Sequence, residues 1–252
     1  MSNPSNPSDF ASTSAAASSV AKLKAALPRV WPAFFARYGN FTPVQQHAMP
    51  AILAGENLLV IAPTAGGKTE AAIAPLLERM LHVHANPNGA LRILYVCPTR
   101  ALVRDLYERL RRPLAELRVE LSMKTGDTGP VSLLAPPAVL ITTPESTDSL
   151  LTRGPRIFTT LEAVVLDEIH LFDHSPRGDQ LRCLLRRIDH VRAYAHSTGG
   201  QADFRPVQRV AISATVPDAA GIMARYLTDG GRPPRVVEAG SGRRLDAVIE
   251  PM

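Results

Sequence analysis

The chain has 252 residues, 45% hydrophobic and 20% charged, a globular composition with room for one large α/β domain. Its net charge of +5 and pI near 9.6 suit a polyanionic partner without requiring one, since the excess is mostly arginine, which phosphate contacts and GC-rich codons explain equally well. Two cysteines, Cys97 and Cys183, exclude a disulfide framework or cysteine metal cluster and read as reduced thiols of a cytoplasmic protein, and no apolar run approaches membrane-spanning length.

Residues 1–19 are mostly Ser, Ala, Asn and Pro, too poor in large apolar side chains to offset their ordering entropy, so a disordered tail is expected. It carries no Lys or Arg and no apolar segment, which excludes a secretory signal and argues against a transit peptide. From Val20, Leu23, Leu27, Val30, Trp31, Phe34, Phe35 and Tyr38 recur at helical spacing, interrupted by Pro28 and Pro32 and stopped by Gly39. Thr42 and Pro43 supply the N-cap and first position of a helix reaching Ala54. Gln45 fits that helix start without a ligand, yet its amide also offers a donor and an acceptor side, the complement of adenine's edge.

Asn57 to Ile61 reads as a buried parallel strand, followed by Ala62-Pro63-Thr64-Ala65-Gly66-Gly67-Lys68-Thr69 and then an Ala- and Leu-rich helix. Strand, Gly-containing turn and helix start are the context of a phosphate site. Gly66 and Gly67 allow a tight turn whose N–H groups face an anion, and the helix N-terminus adds its positive end. Lys68 would reach the β- and γ-phosphates and the Thr69 hydroxyl would ligate Mg²⁺, so ATP and Mg²⁺ are the expected cofactors. Ala62 stands where the general pattern has its first glycine.

A second strand, Leu91 to Val96, leads into Pro98-Thr99-Arg100, and an Arg- and Leu-rich helix follows from Val103 to Leu117. Val119 to Met123 is a third expected strand, closed by Lys124 to Thr128, and Val139 to Thr142 is a fourth. Thr143 as N-cap with Pro144 explains Thr143-Pro144-Glu145-Ser146 by capping alone, although the same helix start is a phosphate-binding end. Ala163 to Leu166 runs into Asp167-Glu168-Ile169-His170. Two carboxylates at the end of a buried parallel strand sit where open α/β sheets bind ligands, and their repulsion and desolvation ask for a cation. Mg²⁺ shared by Thr69 and Asp167 would supply it, leaving Glu168 to orient and deprotonate water; a helix-capping acidic pair is the bland alternative.

Asp179 to His196 reads as an Arg- and His-rich amphipathic helix with Leu181, Leu184, Leu185, Ile188 and Val191 inward, its basic face more often solvated than bound. Ser197 to Gln201 reads as a loop, and Val207 to Ile212 as a strand entering Ser213-Ala214-Thr215. Val236-Val237 reads as an edge strand, and there is no internal repeat. Alternating strands and helices with polar residues after each strand predict an α/β fold, a doubly wound, mostly parallel sheet with one active edge.

Taken together, Thr42-Pro43-Val44-Gln45, Ala62 to Thr69, Pro98-Thr99-Arg100, Thr143 to Ser146, Asp167 to His170 and Ser213-Ala214-Thr215 resemble the motif series of superfamily-2 helicases. They match the Q-type motif and motifs I, Ia, Ib, II and III of the first RecA-like domain, a P-loop NTPase fold. Asp-Glu-Ile-His marks the DExH group, and Thr125 to Thr128, Arg177-Gly178 and Leu140 to Ser146 are similar to the large helicase-related group. The resemblance covers Trp31 to Pro217 and implies an ATP-binding motor domain whose hydrolysis is coupled to single-stranded DNA or RNA. By that resemblance Gln45 reads adenine, Thr64, Gly66, Gly67, Lys68 and Thr69 hold phosphates and metal, Asp167 holds Mg²⁺, and Glu168 activates water. His170, Ser213 and Thr215 would couple nucleotide state to strand grip, while Thr99, Arg100, Gly126 and Thr143 touch the nucleic-acid backbone without reading bases.

Motif I reads Thr-Ala-Gly-Gly-Lys-Thr where the family more usually has Thr-Gly-Ser-Gly-Lys-Thr. The resemblance also implies a second RecA-like domain with motifs IV to VI and an arginine finger, which these residues do not contain. Expected boundaries are a tail at 1–19, the RecA-like domain at 20–235, and at 236–252 the start of a linker toward that second domain, which makes the chain a fragment. Without the finger, worth about 10³ to 10⁵ in rate, turnover would be weak. Two alternatives stay open: a non-motor ATP-binding regulatory or subunit module completed by another chain, and a P-loop kinase, for which no acceptor site or lid is evident.

Overall fold

The computed structural model describes residues 19–199, 204–228 and 233–239. The expected tail up to residue 18, and the expected linker from residue 240, lie outside the described residues. Among those described, no helix is long and apolar enough to cross a membrane.

Among the described residues seven strands form one sheet: β1 (Leu58–Ile61), β2 (Ile93–Val96), β3 (Leu121–Lys124), β4 (Val139–Thr142), β5 (Ala163–Leu166), β6 (Gln208–Ser213) and β7 (Arg235–Glu238). Their spatial order is β3-β4-β2-β5-β6-β1-β7, and every neighbouring pair is parallel. The principal helices are α1 (Pro43–Leu53), α2 (Lys68–Val83), α3 (Arg100–Glu116), α4 (Pro144–Arg153) and α5 (Pro176–Gly199).

β1, β2, β4, β5 and β6 are buried at every position, which is why they read as continuous apolar runs and not as alternating ones. The period of two still operates, but it sorts residues between two cores. Leu58, Val60, Ile93, Tyr95, Ile141, Val165 and Ile212 pack with α1, α2, α3 and the N-terminal segment. Leu59, Ile61, Leu94, Val96, Leu140, Leu166 and Ala211 pack with α4, α5 and residues 219–227. Helices on both faces and an all-parallel sheet put every strand's C-terminal end, and the loop after it, at one edge.

Several boundaries differ from expectation for local reasons. α3 begins at Arg100, not Val103, because the Thr99 hydroxyl accepts from Leu102 N at 3.2 Å and caps it earlier. β3 begins at Leu121, not Val119. Arg118 adopts φ +56 and Val119 N donates back to Leu114 O at 2.9 Å, so both residues are spent in the helix-ending turn. The expected loop at Ser197 begins instead as the last turn of α5: the Ser197 and Thr198 hydroxyls each donate to Tyr194 O at 2.9 Å, while residues 200 and 201 lie outside the described set. β7 pairs with β1 through Glu238, so the sheet crosses the boundary expected after residue 235. The N-terminal helical run divides into a helix at 19–25 and a one-turn α-helix at Trp31–Phe34, tied to α2 where Glu78, 4% exposed, accepts from Arg29 N and Val30 N at 3.0 Å.

Candidate functional site

The loop between β1 and α2 is drawn tight by two left-handed residues, Ala65 at φ +63 and Gly67 at φ +82. A Cβ on Gly67 would stand 2.4 Å from Gln45 Nε2, so glycine is required there by conformation and by space. Gln45 Oε1 accepts from Thr42 N at 3.0 Å and its Nε2 donates to Gly67 O at 3.3 Å, while the Thr42 hydroxyl donates to Gly66 O at 2.9 Å. The Gln45 amide is therefore built into the loop, with one N–H and one lone pair uncommitted by these bonds. Lys68 is 8% exposed and its Nζ donates to Ala62 O at 2.6 Å and Pro63 O at 3.2 Å. Burial lowers its pKa, opposed by the nearby Glu168 and Asp167 carboxylates. Thr64 is exposed in mid-loop and Thr69 half-buried in the first turn of α2.

Next to β1 in the sheet lies β6, and next to β6 lies β5, which delivers Asp167 and Glu168 to the same edge. Burial, and then the Glu168 charge, push the Asp167 carboxyl up to about 6. Glu168 sits at φ +44, a strained backbone for a non-glycine residue. Its Oε2 is buried with no hydrogen bond, although His170 Nδ1 stands 3.4 Å away. An orphaned carboxylate oxygen beside a carboxyl that resists ionisation is what a missing cation would leave. No cluster of three or more His, Cys, Asp or Glu that could hold a metal exists among the described residues, so a metal here would have few protein ligands. That donor set, hard oxygens with most positions left to water and phosphate, fits Mg²⁺.

His170 Nδ1 lies 2.7 Å from Ser213 Oγ, and that hydroxyl donates to Thr215 O at 2.8 Å. With the Ser213 proton committed, His170 carries its own proton on Nδ1 and donates to Ser213. The acidic loop is thereby wired to the loop after β6.

A second feature opens farther along the same edge. Thr99, Arg100, Gly126 and Thr143, from three separate loops, line one cleft of about 680 Å³. A Cβ on Gly126 would lie 3.1 Å from Arg100 Nη2, so the guanidinium passes close over that backbone. The cleft also takes in Lys124, Ser149, Arg153 and Arg177, four residues that sequence reasoning did not place in the site. Glu145, Ser149 and Arg153 recur every fourth residue from the start of α4, a spacing that could have revealed this face. Arg177 had no such local signal: it arrives on α5 and donates to Glu145 at 2.7 and 3.2 Å. Arg100, Lys124, Arg153 and Arg177 against Glu145 leave the lining positive.

A family model described as DEAD/DEAH box helicase matches residues 42–222. The Lhr helicase/probable uracil glycosylase of Mycolicibacterium smegmatis is 33% identical over 242 residues, covering 89% of this chain and 15% of that protein. An ATP-dependent helicase Lhr-Core of Saccharolobus solfataricus is 32% identical over 243 residues, covering 89% of this chain and 26% of that protein. Among solved structures, Mycobacterium smegmatis helicase Lhr bound to ssDNA and AMP-PNP superposes with a TM-score of 0.71 at 32% identity, over 84% of this chain and 28% of that one. This chain thus spans roughly a quarter or less of the length of these curated relatives.

Proposed function

From a chain that belongs to the DEAD/DEAH box helicase family, we propose an ATP-binding motor domain that hydrolyses ATP in response to a single strand of DNA or RNA. The observation that carries this reading is one sheet edge holding both the phosphate loop with its acidic pair and, beside it, a positive cleft. In this reading Lys68 exchanges the Ala62 and Pro63 carbonyls for β- and γ-phosphate oxygens. Thr69 and Asp167 would hold Mg²⁺, which when bound neutralises charge developing on the transferred phosphoryl oxygens. Glu168 then accepts a proton from the attacking water, and Gln45 reports nucleotide contact through its bond to Gly67 O. The His170–Ser213–Thr215 chain passes the state of that loop toward the strand cleft. Thr99, Arg100, Gly126 and Thr143, with Lys124, Arg153 and Arg177, grip phosphates and leave bases unread. The domain at 20–235, with β7 added, works with a second RecA-like domain in the same protein or another chain, which would supply an arginine finger.

The test is equilibrium binding of ATP–Mg²⁺ and steady-state hydrolysis, with and without single-stranded DNA and RNA, beside Lys68→Ala. Binding is expected, and Lys68→Ala should weaken it by about tenfold or more. In protein containing both halves, Glu168→Gln should keep ATP binding and abolish turnover. Failure of the unaltered chain to bind ATP would remove the proposal, and ATP binding with no strand response would favour the non-motor module.

A further inference from the structure

Arg177 is held by two partners of different chemistry. Its Nε and Nη2 donate to the two Glu145 carboxylate oxygens at 2.7 and 3.2 Å, a fork set at the start of α4. The same guanidinium lies over the Phe172 ring, 5.6 Å from its centroid. The Glu145 end faces solvent, with the two side chains 40% and 52% exposed, so that pair is easily exchanged. Phe172 is fully buried in the second core and holds its place. A ladder of backbone bonds joins it to the acidic pair. Leu171 N donates to Glu168 O at 2.8 Å, Phe172 N to Ile169 O at 3.0 Å, Ser175 N to Phe172 O at 3.2 Å and Gly178 N to Ser175 O at 2.9 Å. Arg225 braces the middle of this run, donating to both oxygens of the buried Asp173 at 2.9 and 2.7 Å. Gly178, next to Arg177, packs directly against Phe172 O. At the other end Glu168 sits at φ +44, a backbone that a small displacement can release.

We infer that Arg177 is the strand sensor of the nucleotide site, a positioning residue that exchanges Glu145 for a backbone phosphate and passes the change through Phe172 to Glu168. This rests on the motor reading above. A guanidinium fork fits phosphate and carboxylate alike, and both residues line the cleft. A phosphate entering it repels Glu145 and attracts Arg177, so the pair opens as the cleft fills. The displaced guanidinium leaves the Phe172 ring and draws on the first turn of α5, to which the braced run is bonded. Arg153 lines the same cleft two turns past Glu145 on α4, about 12 Å along the helix, so it grips without reporting.

The experiment measures, by fluorescence anisotropy, the affinity of the full chain for a single-stranded oligonucleotide, DNA and RNA each, with and without a non-hydrolysable ATP analogue and Mg²⁺. The proteins compared are the unaltered chain, Arg177→Ala, Arg177→Lys and Arg153→Ala. In the unaltered chain the nucleotide should change strand affinity about fivefold or more, and the strand should change nucleotide affinity by the same factor. Arg153→Ala should weaken strand binding and leave that factor as it was. Arg177→Ala should weaken strand binding and also bring the factor within about twofold of one. Arg177→Lys, which keeps the charge without the fork, should recover strand affinity but not the factor. A full factor in either Arg177 variant, its loss in Arg153→Ala as well, or no factor in an unaltered chain that binds both ligands overturns the assignment. Failure to bind nucleotide or strand at all would instead count against the motor reading itself.

Discussion

Asp167 carries a stability cost at the place where the proposed function puts a Mg²⁺ ligand. Its usual pKa of 3.8 rises to about 6 in the fold, burial being the larger cause and Glu168 the next. The folded chain therefore holds a proton that the unfolded chain releases, so stability falls as pH climbs from about 4 to about 6 and the penalty persists above that. Two units correspond to about 3 kcal/mol, less whatever solvent reaches the half-buried side chain. Asp167→Asn should accordingly make the ligand-free chain about 1–3 kcal/mol more stable at pH 7.5, with little change at pH 4, while weakening Mg²⁺-dependent nucleotide binding. Denaturant melts at the two pH values decide it: equal stability of both proteins at pH 7.5 would mean the acidic pair carries no such cost. The positions of the acids directly after β5, and of Lys68 and Thr69 at the start of α2, were legible because an apolar run and a helix start are local signals. The wiring of Gln45 to Gly67 was not, since 22 residues separate them.

Elements met expectation in kind more often than in extent. Strands buried on both faces announce themselves as apolar runs because their burial is a property of the run itself, and all seven expected strands, the two edge strands included, lie within two residues of the observed bounds at each end. Their ends depend on caps such as Thr99 and on left-handed turns such as Arg118, which a hydrophobic pattern does not contain. α5 illustrates packing that no pattern shows. A Cβ on Gly178 would stand 2.2 Å from Phe172 O and 2.6 Å from Tyr226 Oη, so the first turn of this helix presses on the segment that follows Asp167 to His170. Gly178→Ala should cost about 2–4 kcal/mol, lowering the thermal midpoint by roughly 5–12 °C. Calorimetry checks this, and an unchanged midpoint would show that Phe172 and Tyr226 give way freely.

For the molecule as a whole, parallel strands are what join the two halves of the proposed chemistry. All the relevant loops leave the sheet in one direction, so phosphate loop, acidic pair and cleft share an edge over which a strand and a nucleotide can act on one another. If the cleft grips phosphates alone, the logarithm of single-strand affinity should fall linearly with log salt, and Arg100→Ala should lower the magnitude of that slope by about 0.7. The loss should be the same for unrelated sequences, as expected for a contact that reads no base. Fluorescence anisotropy with two oligonucleotides of different sequence, across a salt series, measures both quantities; a loss confined to one sequence would turn Arg100 into a base reader.

The α/β class, the glycine-containing loop before α2 and the position of the acidic pair were written locally, in apolar runs, caps and glycines whose physics acts between near neighbours in the chain. Strand order was not, because hydrogen bonding between β1 and β6, or β2 and β5, is chosen by how helices cover both faces at once. That choice alone brought Ser213 to His170 and Arg177 to Glu145. Contacts of this kind join residues tens of positions apart, and only packing, which minimises exposed apolar surface over the whole chain, selects them.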